Sequence, residues 1–433
     1  TDPRRGHDHP DGAGIEAEVL PVRTDPDGST HRLPLVEVAA ISRAWAQAHR
    51  AVVATHDHPA LPGFGLPDRT RVTFEPGGQL EVSGPCSPGA STATASVQEV
   101  LSELARTFAA EGAALVSAGI DLWHDVADVP QQLQAPRYTA MASYFAARSD
   151  AGAAMMRHTC SLQVNLDAGA GATCDERWLV ANLVAPLATA SFATSPAIPS
   201  GPVSTRAGLW RRLDRTRTGF PAGLLDGEPD PTLQMARAAL EADVLLVNSG
   251  TEATPARPGW SFRDWIVDGH PDHGYPTPAD LAYHLTTLFH EVRPRGSFEV
   301  RSIDALPARW RVVPVVLYTG LLYDPRARRD VLGVLESWRP RLTALLARSA
   351  DVGLTDASLC AAAVETWSFA IEGAWRLGRG VVDEADIRRA EAFVDRFAMR
   401  GRCPGDDLRE LFLADPAAAR SWATEPVPTV SLC

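Results

Sequence analysis

The sequence predicts an α+β protein built around a mostly antiparallel sheet, and three observations support this. Short segments that alternate apolar and polar residues recur along the chain, as expected of strands with one buried face. Segments with helical apolar spacing lie between them, without the regular strand–helix alternation of a parallel sheet. The last hundred residues carry almost only helical patterns, and no repeat or low-complexity linker divides the 433 residues.

We therefore expect a disordered tail over residues 1–12 and a single domain over residues 13–433, mainly helical from about residue 325. The formal net charge of −12 disfavours nucleic acid and anionic membranes as partners. No apolar run has the length of a membrane span or forms the core of a signal peptide. Six scattered cysteines without a CxxC pair fit reduced thiols, so we expect a cytoplasmic protein.

The absence of lysine excludes several kinds of chemistry. All 41 cationic residues are arginines. A Walker A loop needs its lysine, and a Schiff-base enzyme needs a lysine amine, so neither class applies. Any anionic substrate must then be held by arginines, backbone amides or metal ions.

The individual elements follow from local periodicity. The alternating segments predict strands over residues 14–22, 160–167 and 297–304, a buried strand over 242–250, and a strand–turn–strand unit over 71–84 with Pro-Gly-Gly as its turn. Helical spacing predicts helices over residues 35–50, 96–116, 138–148, 358–378 and 383–401, and from 177 up to the region of Pro186. Residues 56–69 indicate a loop, where His56 and His58 are more typical of a surface turn than of a metal site.

Four of the predicted strands share a polar face that is rich in oxygen ligands. Glu16 and Glu18 lie on one face of the first strand because successive side chains of a strand point to opposite faces. The same alternation places Glu81, Gln163 and Glu299 on the polar faces of three later strands. Any one such face is more typical of a solvated antiparallel sheet. Together, these oxygens suit a hard cation such as Mg²⁺, provided that a concave sheet brings them together.

At these residues the chain resembles glutamate–cysteine ligases of the plant and actinobacterial type. Among them it is most similar to the actinobacterial enzymes of ergothioneine synthesis. The combination of motifs is specific although no single motif is. The matching stretches include GIEAEV at 14–19, EPGGQLEVSG at 75–84, APRYTAMASYF at 135–145, MMRHTCSLQVNLD at 155–167, LVAPLATASFATSP at 183–196, RAGLWRRLDRTRTGF at 206–220, WSFRDW at 260–265, HLTTLFHEVRPRGSFEVRSID at 284–304 and GLLYD at 320–324.

The resemblance implies a fold like that of glutamine synthetase, with a curved sheet whose concave face holds ATP, metals and substrates. It implies ATP-dependent joining of the L-glutamate γ-carboxylate to the L-cysteine amine through γ-glutamyl phosphate, with Mg²⁺ or Mn²⁺ as cofactor. It places a phosphate contact at Arg301 and a substrate contact at Arg206. The implied metal ligands are Glu16, Glu18, Glu81, Gln163 and Glu299, with Glu75 as a weaker candidate.

Three further residues are candidate substrate or ATP contacts with a structural alternative. Arg137 and Tyr138 could instead order the start of a helix, and Arg217 could belong to a loop of solvated arginines. Two rival functions stay open: a carboxylate–amine ligase for another amine, and an inactive metal-binding relative. We expect glutamate, cysteine and ATP as partners, and a monomer or weak homodimer.

Overall fold

The computed structural model describes residues 12–25, 28–54, 63–248 and 253–427. The tail predicted over residues 1–12 lies outside these ranges except for Gly12. His56 and His58 also lie outside the described residues.

In the described ranges, ten strands form one main sheet and four short strands form two small sheets. The order in the main sheet is β13-β14-β8-β1-β6-β5-β4-β3, with β2 and β7 paired to the second half of β1. All of its pairings are antiparallel. The strands are β1 (Ala13–Thr24), β2 (Thr30–Arg32), β3 (Val52–Ala54), β4 (Gly63–Gly65), β5 (Arg71–Phe74), β6 (Leu80–Ser83), β7 (Ala113–Val116), β8 (Ser161–Asp167), β9 (Thr218–Gly219), β10 (Leu246–Asn248), β11 (Ala253–Pro255), β12 (Phe289–His290), β13 (Val292–Pro294) and β14 (Ser297–Asp304).

Helices cover both faces of the sheet and make up nearly all of the chain after β14. They are α1 (Leu35–Ala48), α2 (Ala90–Ala110), α3 (Pro136–Ala146), α4 (Ala151–His158), α5 (Ala172–Ser191), α6 (Thr205–Leu213), α7 (Ala222–Leu225), α8 (Pro231–Glu241), α9 (Phe262–Asp268), α10 (Pro278–Leu285), α11 (Val313–Tyr323), α12 (Pro325–Leu335), α13 (Leu342–Val352), α14 (Ala357–Leu377), α15 (Glu384–Arg396), α16 (Pro404–Ala414) and α17 (Pro416–Ala423).

The two faces of β1 explain how the sheet is oriented. Ile15, Ala17 and Val19 are buried in the main hydrophobic core, which α2, α5 and α11 close from one side. Burial of these apolar faces is the dominant favourable term in folding. The opposite face, with Glu16 and Glu18, therefore points away from the core. Helices α3, α4 and α6 pack together in a smaller cluster on that polar side.

The predicted fold class is confirmed, and the departures from prediction have local causes. The segment 96–116 is not helical throughout, because Gly112 takes a left-handed φ of 71° and the chain continues as β7. Helix α5 runs through Pro186 to Ser191, since burial of its second half outweighs the one hydrogen bond that proline cannot donate. The loop predicted over 56–69 contains β4, and the buried strand predicted over 242–250 forms only at Leu246–Asn248, where β10 pairs with β11 in a small sheet.

In the described ranges, no helix has the length and apolar character needed to cross a membrane.

Candidate active site

Strand register brings the predicted oxygen ligands together at the centre of the main sheet. Glu16 lies directly opposite Gln163 of β8, and Glu18 lies directly opposite Glu81 of β6. Two like charges facing each other across antiparallel strands are destabilising unless something compensates them. On the other side of β8, Glu299 pairs with Asn165, and the register then shifts between Val300 and Ile303. Arg301 sits in that irregularity and reaches back over the face.

The hairpin between β5 and β6 carries the remaining acid, Glu75. Gly78 takes a φ of 81°, and the turn closes through Glu75 N donating to Gln79 O at 2.9 Å. Gly77 must be glycine because a Cβ there would lie 2.4 Å from the carbonyl oxygen of Arg157 at the end of α4. Close packing of the turn against α4 thus sets the position of Glu75 relative to Glu81.

Helices α3, α4 and α6 close the polar face into a cavity of about 360 Å³. The hydroxyl of Ser204 accepts from Ala207 N and caps α6, which points Arg206 into this space. Arg137 enters at the first turn of α3. The cavity is lined by Glu16, Glu18, Glu75, Gln79, Glu81, Arg137, Tyr138, Met141, Met155, Met156, Ser161, Gln163, Arg206, Trp210, Thr286, Phe289, Arg293, Arg295 and Arg301, among others.

Three carboxylates in the cavity carry negative charge that their neighbours do not offset. Burial, and then the charges of Glu81 and Glu299, raise the pKa of Glu16 to about 7. Burial and the charge of Glu18 likewise raise the pKa of Glu81 to about 7. The pKa of Glu75 rises well above its usual range, again mainly through burial and then through Glu81 and Glu18. Carboxylates in this state attract a cation or a proton.

Glu299 has the opposite electrostatic environment. Burial would raise its pKa, but the charges and hydrogen bonds of Arg301 and Arg293 outweigh burial and lower the pKa to about 2. Arg301 donates to Glu299 at 2.5 Å and to the amide oxygen of Gln163 at 2.7 Å. Arg293 donates to both oxygens of the same carboxylate, at 2.7 and 3.0 Å. This end of the cavity is therefore rich in guanidinium groups, which suit phosphate and carboxylate ligands.

The other end of the cavity is organised around Arg206. Its guanidinium lies 3.5 Å from the carboxylate of Asp304 and donates to the backbone carbonyl of Arg301 at 3.1 Å. The oxygens of Glu18 accept from the backbone N–H and the hydroxyl of Ser161 at 2.7 and 2.9 Å. Burial raises the pKa of Glu18 despite these contacts and the nearby Arg206. A cation fixed beside acids can hold the carboxylate of a small substrate.

Comparison with known proteins identifies the family. The model of glutamate-cysteine ligase family 2 matches residues 14–427. The chain belongs to this family. It is 38% identical over 376 residues to the glutamate–cysteine ligase EgtA of Mycolicibacterium smegmatis, covering 85% of this chain and 82% of that protein. It is 29% identical over 351 residues to the chloroplastic glutamate–cysteine ligase of Medicago truncatula, covering 79% and 67%.

A solved structure of the same enzyme type shares the fold. The glutamate–cysteine ligase of Francisella tularensis, crystallised with AMP, has a TM-score of 0.50 at 11% identity and covers 98% of this chain and 91% of that one. As a member of glutamate-cysteine ligase family 2, the chain is an enzyme of the glutamate–cysteine ligase type.

The carboxylates of the cavity are suitable ligands for a divalent cation, although they do not form a complete metal site on their own. Within the described ranges, no three His, Cys, Asp or Glu side chains lie close enough together to form a metal site by themselves. Mg²⁺, however, is usually held by one or two carboxylates together with water and substrate phosphates. Glu16, Glu75 and Glu81 supply such oxygens around one cavity, and their raised pKa values show the charge that a cation would neutralise.

Most of the sequence-predicted residues line the cavity, and three differ from expectation. Glu299, predicted as a metal ligand, is 0% exposed and binds Arg293 and Arg301 instead of lining the cavity. Gln163 presents its amide oxygen to Arg301, so here it orients the arginine. Arg217 corrects our prediction of an ATP contact. It is 0% exposed and donates to Asp214 at 2.8 Å, to Thr287 O at 2.9 Å and to the hydroxyl of Tyr144 at 2.9 Å. With its donors engaged away from the cavity, Arg217 cannot reach a substrate there.

Arg137 and Tyr138 line the cavity from the start of α3. Arg137 donates to the hydroxyl of Thr286 at 3.2 Å, which ties α3 to the end of α10. Arg137 and Tyr138 therefore lie at the start of a helix and also line the cavity, so both predicted positions apply.

Sequence reasoning missed Arg293 and the apolar wall of the cavity. Arg293 lies on β13, a strand of three residues that is too short to show alternation. Met141, Met155 and Met156 come from two helices and are three of only five methionines in the chain. This clustering of methionines was the one indication of the apolar wall in the sequence, although methionines at helical spacing are usually ordinary core residues.

Proposed function

We propose that this enzyme joins the γ-carboxylate of L-glutamate to the amine of L-cysteine, forming γ-glutamylcysteine, ADP and phosphate through γ-glutamyl phosphate. The observation that carries the proposal is the single cavity in which three uncompensated carboxylates face a cluster of arginines. This arrangement matches a reaction in which a metal-bound polyphosphate must approach a carboxylate. Membership of glutamate-cysteine ligase family 2 supplies the substrate class.

Arg301 and Arg206 have separate tasks in this proposal. Arg301 is held in place by Glu299 and Gln163, so its remaining donors can meet the phosphoryl group in transfer without reorganisation. Arg206, oriented by Asp304, binds a carboxylate of glutamate and keeps the γ-carboxylate in line with ATP. Because β14 carries both Arg301 and Asp304, one strand fixes the distance between the phosphate end and the donor end of the site.

Glu16, Glu75 and Glu81 would hold Mg²⁺ or Mn²⁺, with Glu18 and Glu299 beside them. When bound, the cation reduces the repulsion between the polyphosphate and the glutamate carboxylate and stabilises the charge of the leaving ADP. The chain's own part is to keep these oxygens in a shielded cavity, where their interactions with cations are stronger than in water.

The methionine wall supports cysteine as the acceptor. Met141, Met155 and Met156 line the cavity together with Trp210. Thioether sulfurs are polarizable and adapt to a small thiol, whereas they offer no hydrogen bond to a hydroxyl group. The wall therefore favours cysteine over serine. A ligase for a charged or strongly polar amine would need polar partners at the same place.

The relatives support an inference about the pathway. Two of the similar proteins are EgtA enzymes of mycobacteria, which supports a role for γ-glutamylcysteine from this enzyme in ergothioneine synthesis. The retained carboxylates and arginines disfavour the alternative of an inactive relative, since a site without selection for catalysis has no reason to keep buried charges that destabilise the fold.

The experiment is to measure ADP release in the presence of Mg²⁺ and glutamate, alone and with cysteine, 2-aminobutyrate, serine, alanine and larger amines. We expect fast release only with glutamate and a small amine, with cysteine best. Glu81→Gln should abolish release, while Glu365→Gln, on the exposed side of α14, should not change it. Faster release with another amine than with cysteine would establish the rival ligase, and no release with any amine would establish an inactive relative.

A further inference from the structure

A second cavity, of about 580 Å³, lies between α8 and α10 beside the edge strand β13. Its walls are largely apolar and include Met235, Leu240, Leu281, Leu285 and Leu288. Leu281 and Leu285 remain 37% and 43% exposed. Burying such side chains would be favourable, so their exposure around a concave space indicates a ligand that covers them.

This cavity and the catalytic cavity meet at three residues. Thr286, Arg293 and Arg295 line both spaces. Arg295 is 52% exposed at its side chain and lies 3.4 Å from Glu299, so its guanidinium stands at the junction with donors available to an anion. The apolar cavity leads into a junction lined by arginines. An elongated ligand with an apolar ring at one end and a charged chain at the other would fit both parts.

The direction of β14 shows which end of the catalytic cavity the junction adjoins. Asp304, at one end of the strand, orients Arg206, the proposed glutamate contact. Arg301 and then Glu299 follow toward the other end, and the turn that leads to β13 carries Arg295. The junction therefore lies on the phosphate side of the site and away from the donor carboxylate.

We propose that the cavity between α8 and α10 binds the purine base of the nucleotide, while Arg295 contacts the phosphate nearest to it. The inference rests on the proposed function, because it assigns the base of the ATP whose γ-phosphate lies at Arg301. A flat apolar ring suits leucine and methionine walls. Thr232, whose buried hydroxyl has no hydrogen-bond partner among the described residues, lies in the same wall.

The test fills the cavity without touching the catalytic residues. Ala236 and Ala282 line it from α8 and α10 and are exposed, so Ala236→Trp and Ala282→Trp add bulk with little risk to folding. Ala279→Trp, also exposed on α10 but outside the lining, is the matched control. Binding of ATP and of inorganic tripolyphosphate, which has no base, is measured by calorimetry in Mg²⁺, together with KM for ATP and glutamate.

We expect both cavity variants to weaken ATP binding and to raise the KM for ATP by about tenfold or more. A tenfold effect is smaller than the binding free energy that burial of a whole apolar ring contributes. Tripolyphosphate binding, the KM for glutamate and the Ala279→Trp control should stay unchanged. Equal weakening of ATP and tripolyphosphate, or no weakening of either, would overturn the assignment. If the unmodified enzyme itself neither binds ATP nor turns over, the proposed function fails. Normal behaviour of the unmodified enzyme with unaffected cavity variants refutes only the base site.

Discussion

Glu81→Gln should make the metal-free protein more stable while it removes activity. Glu81 faces Glu18 across the pair β1–β6, and burial together with that charge raises its pKa from 4.5 to about 7. A change of one in pKa corresponds to about 1.4 kcal/mol, so ionised Glu81 costs the folded state roughly 3 kcal/mol. Glutamine removes this cost and keeps an oxygen that can accept from Thr73 and Ser83, which lie 3.0 and 3.1 Å from the carboxylate.

The effect of Glu81→Gln on folding stability depends on pH, and the raised pKa of Glu81 sets its direction. A carboxyl group whose pKa is raised by folding binds its proton more tightly in the folded state, so the cost is absent below about pH 4.5 and grows until about pH 7. Glu81→Gln should therefore stabilise the metal-free protein by roughly 3 kcal/mol at pH 8, and by less than about 1 kcal/mol at pH 5.

The assay is urea unfolding in a chelator at the two pH values, alongside ADP release in Mg²⁺. Adding Mg²⁺ at pH 8 should stabilise the unmodified protein more than the variant, because a cation that binds only the folded state shifts unfolding by mass action. The Glu365→Gln variant controls for a general effect of charge removal. An equal stability of variant and parent at pH 8, or near-normal turnover of Glu81→Gln, would refute the reasoning.

Three further results are expected. Arg301→Lys keeps the charge but loses the planar fork, so it should slow the chemical step by about 100-fold or more in rapid-quench experiments; unchanged kinetics would place Arg301 outside the site. Arg217→Met leaves buried Asp214 without its nearest cation and should cost about 3 kcal/mol in urea unfolding, with an unchanged KM for ATP; a raised KM would restore Arg217 as an ATP contact. In competition assays 2-aminobutyrate should be the best substitute for cysteine, with cysteine preferred by roughly 10–200-fold, the usual discrimination between near-isosteres. Aspartate should be nearly inactive as the donor in place of glutamate. Equal use of serine, alanine and cysteine would contradict the role proposed for the methionine wall.

The sequence predicted the part of the fold that depends on period-two patterns. The segments around Glu16, Glu81, Gln163 and Glu299 alternate clearly, and each forms a strand of the main sheet. Their convergence was predictable because a sheet with one apolar face must place all its polar positions on the other face. The order of the strands was not predicted, since pairing partners such as Ala13 and Leu166, 153 residues apart, leave no local signal.

What the sequence did not indicate depends on tertiary contacts. Arg217 was predicted as an ATP contact, with a solvated loop arginine as the alternative, because its actual partners, the carbonyl of Thr287 and the hydroxyl of Tyr144, come from distant segments. Helix α5 passes Pro186 because the surrounding core holds it, which no local rule includes. The apolar cavity beside β13 arises from two amphipathic helices, whose patterns alone predict an ordinary buried contact.

The most direct test of the account follows an oxygen atom. Glutamate labelled with ¹⁸O in its γ-carboxylate is incubated with the enzyme, ATP, Mg²⁺ and cysteine, and the released phosphate is analysed by mass spectrometry. If γ-glutamyl phosphate forms in the cavity, the cysteine amine displaces phosphate from it. That phosphate then carries one labelled oxygen from each glutamate. We expect one ¹⁸O per phosphate and an equal amount of γ-glutamylcysteine. Phosphate without label, with ADP still released, would show that water attacks ATP and would contradict ligation at this site.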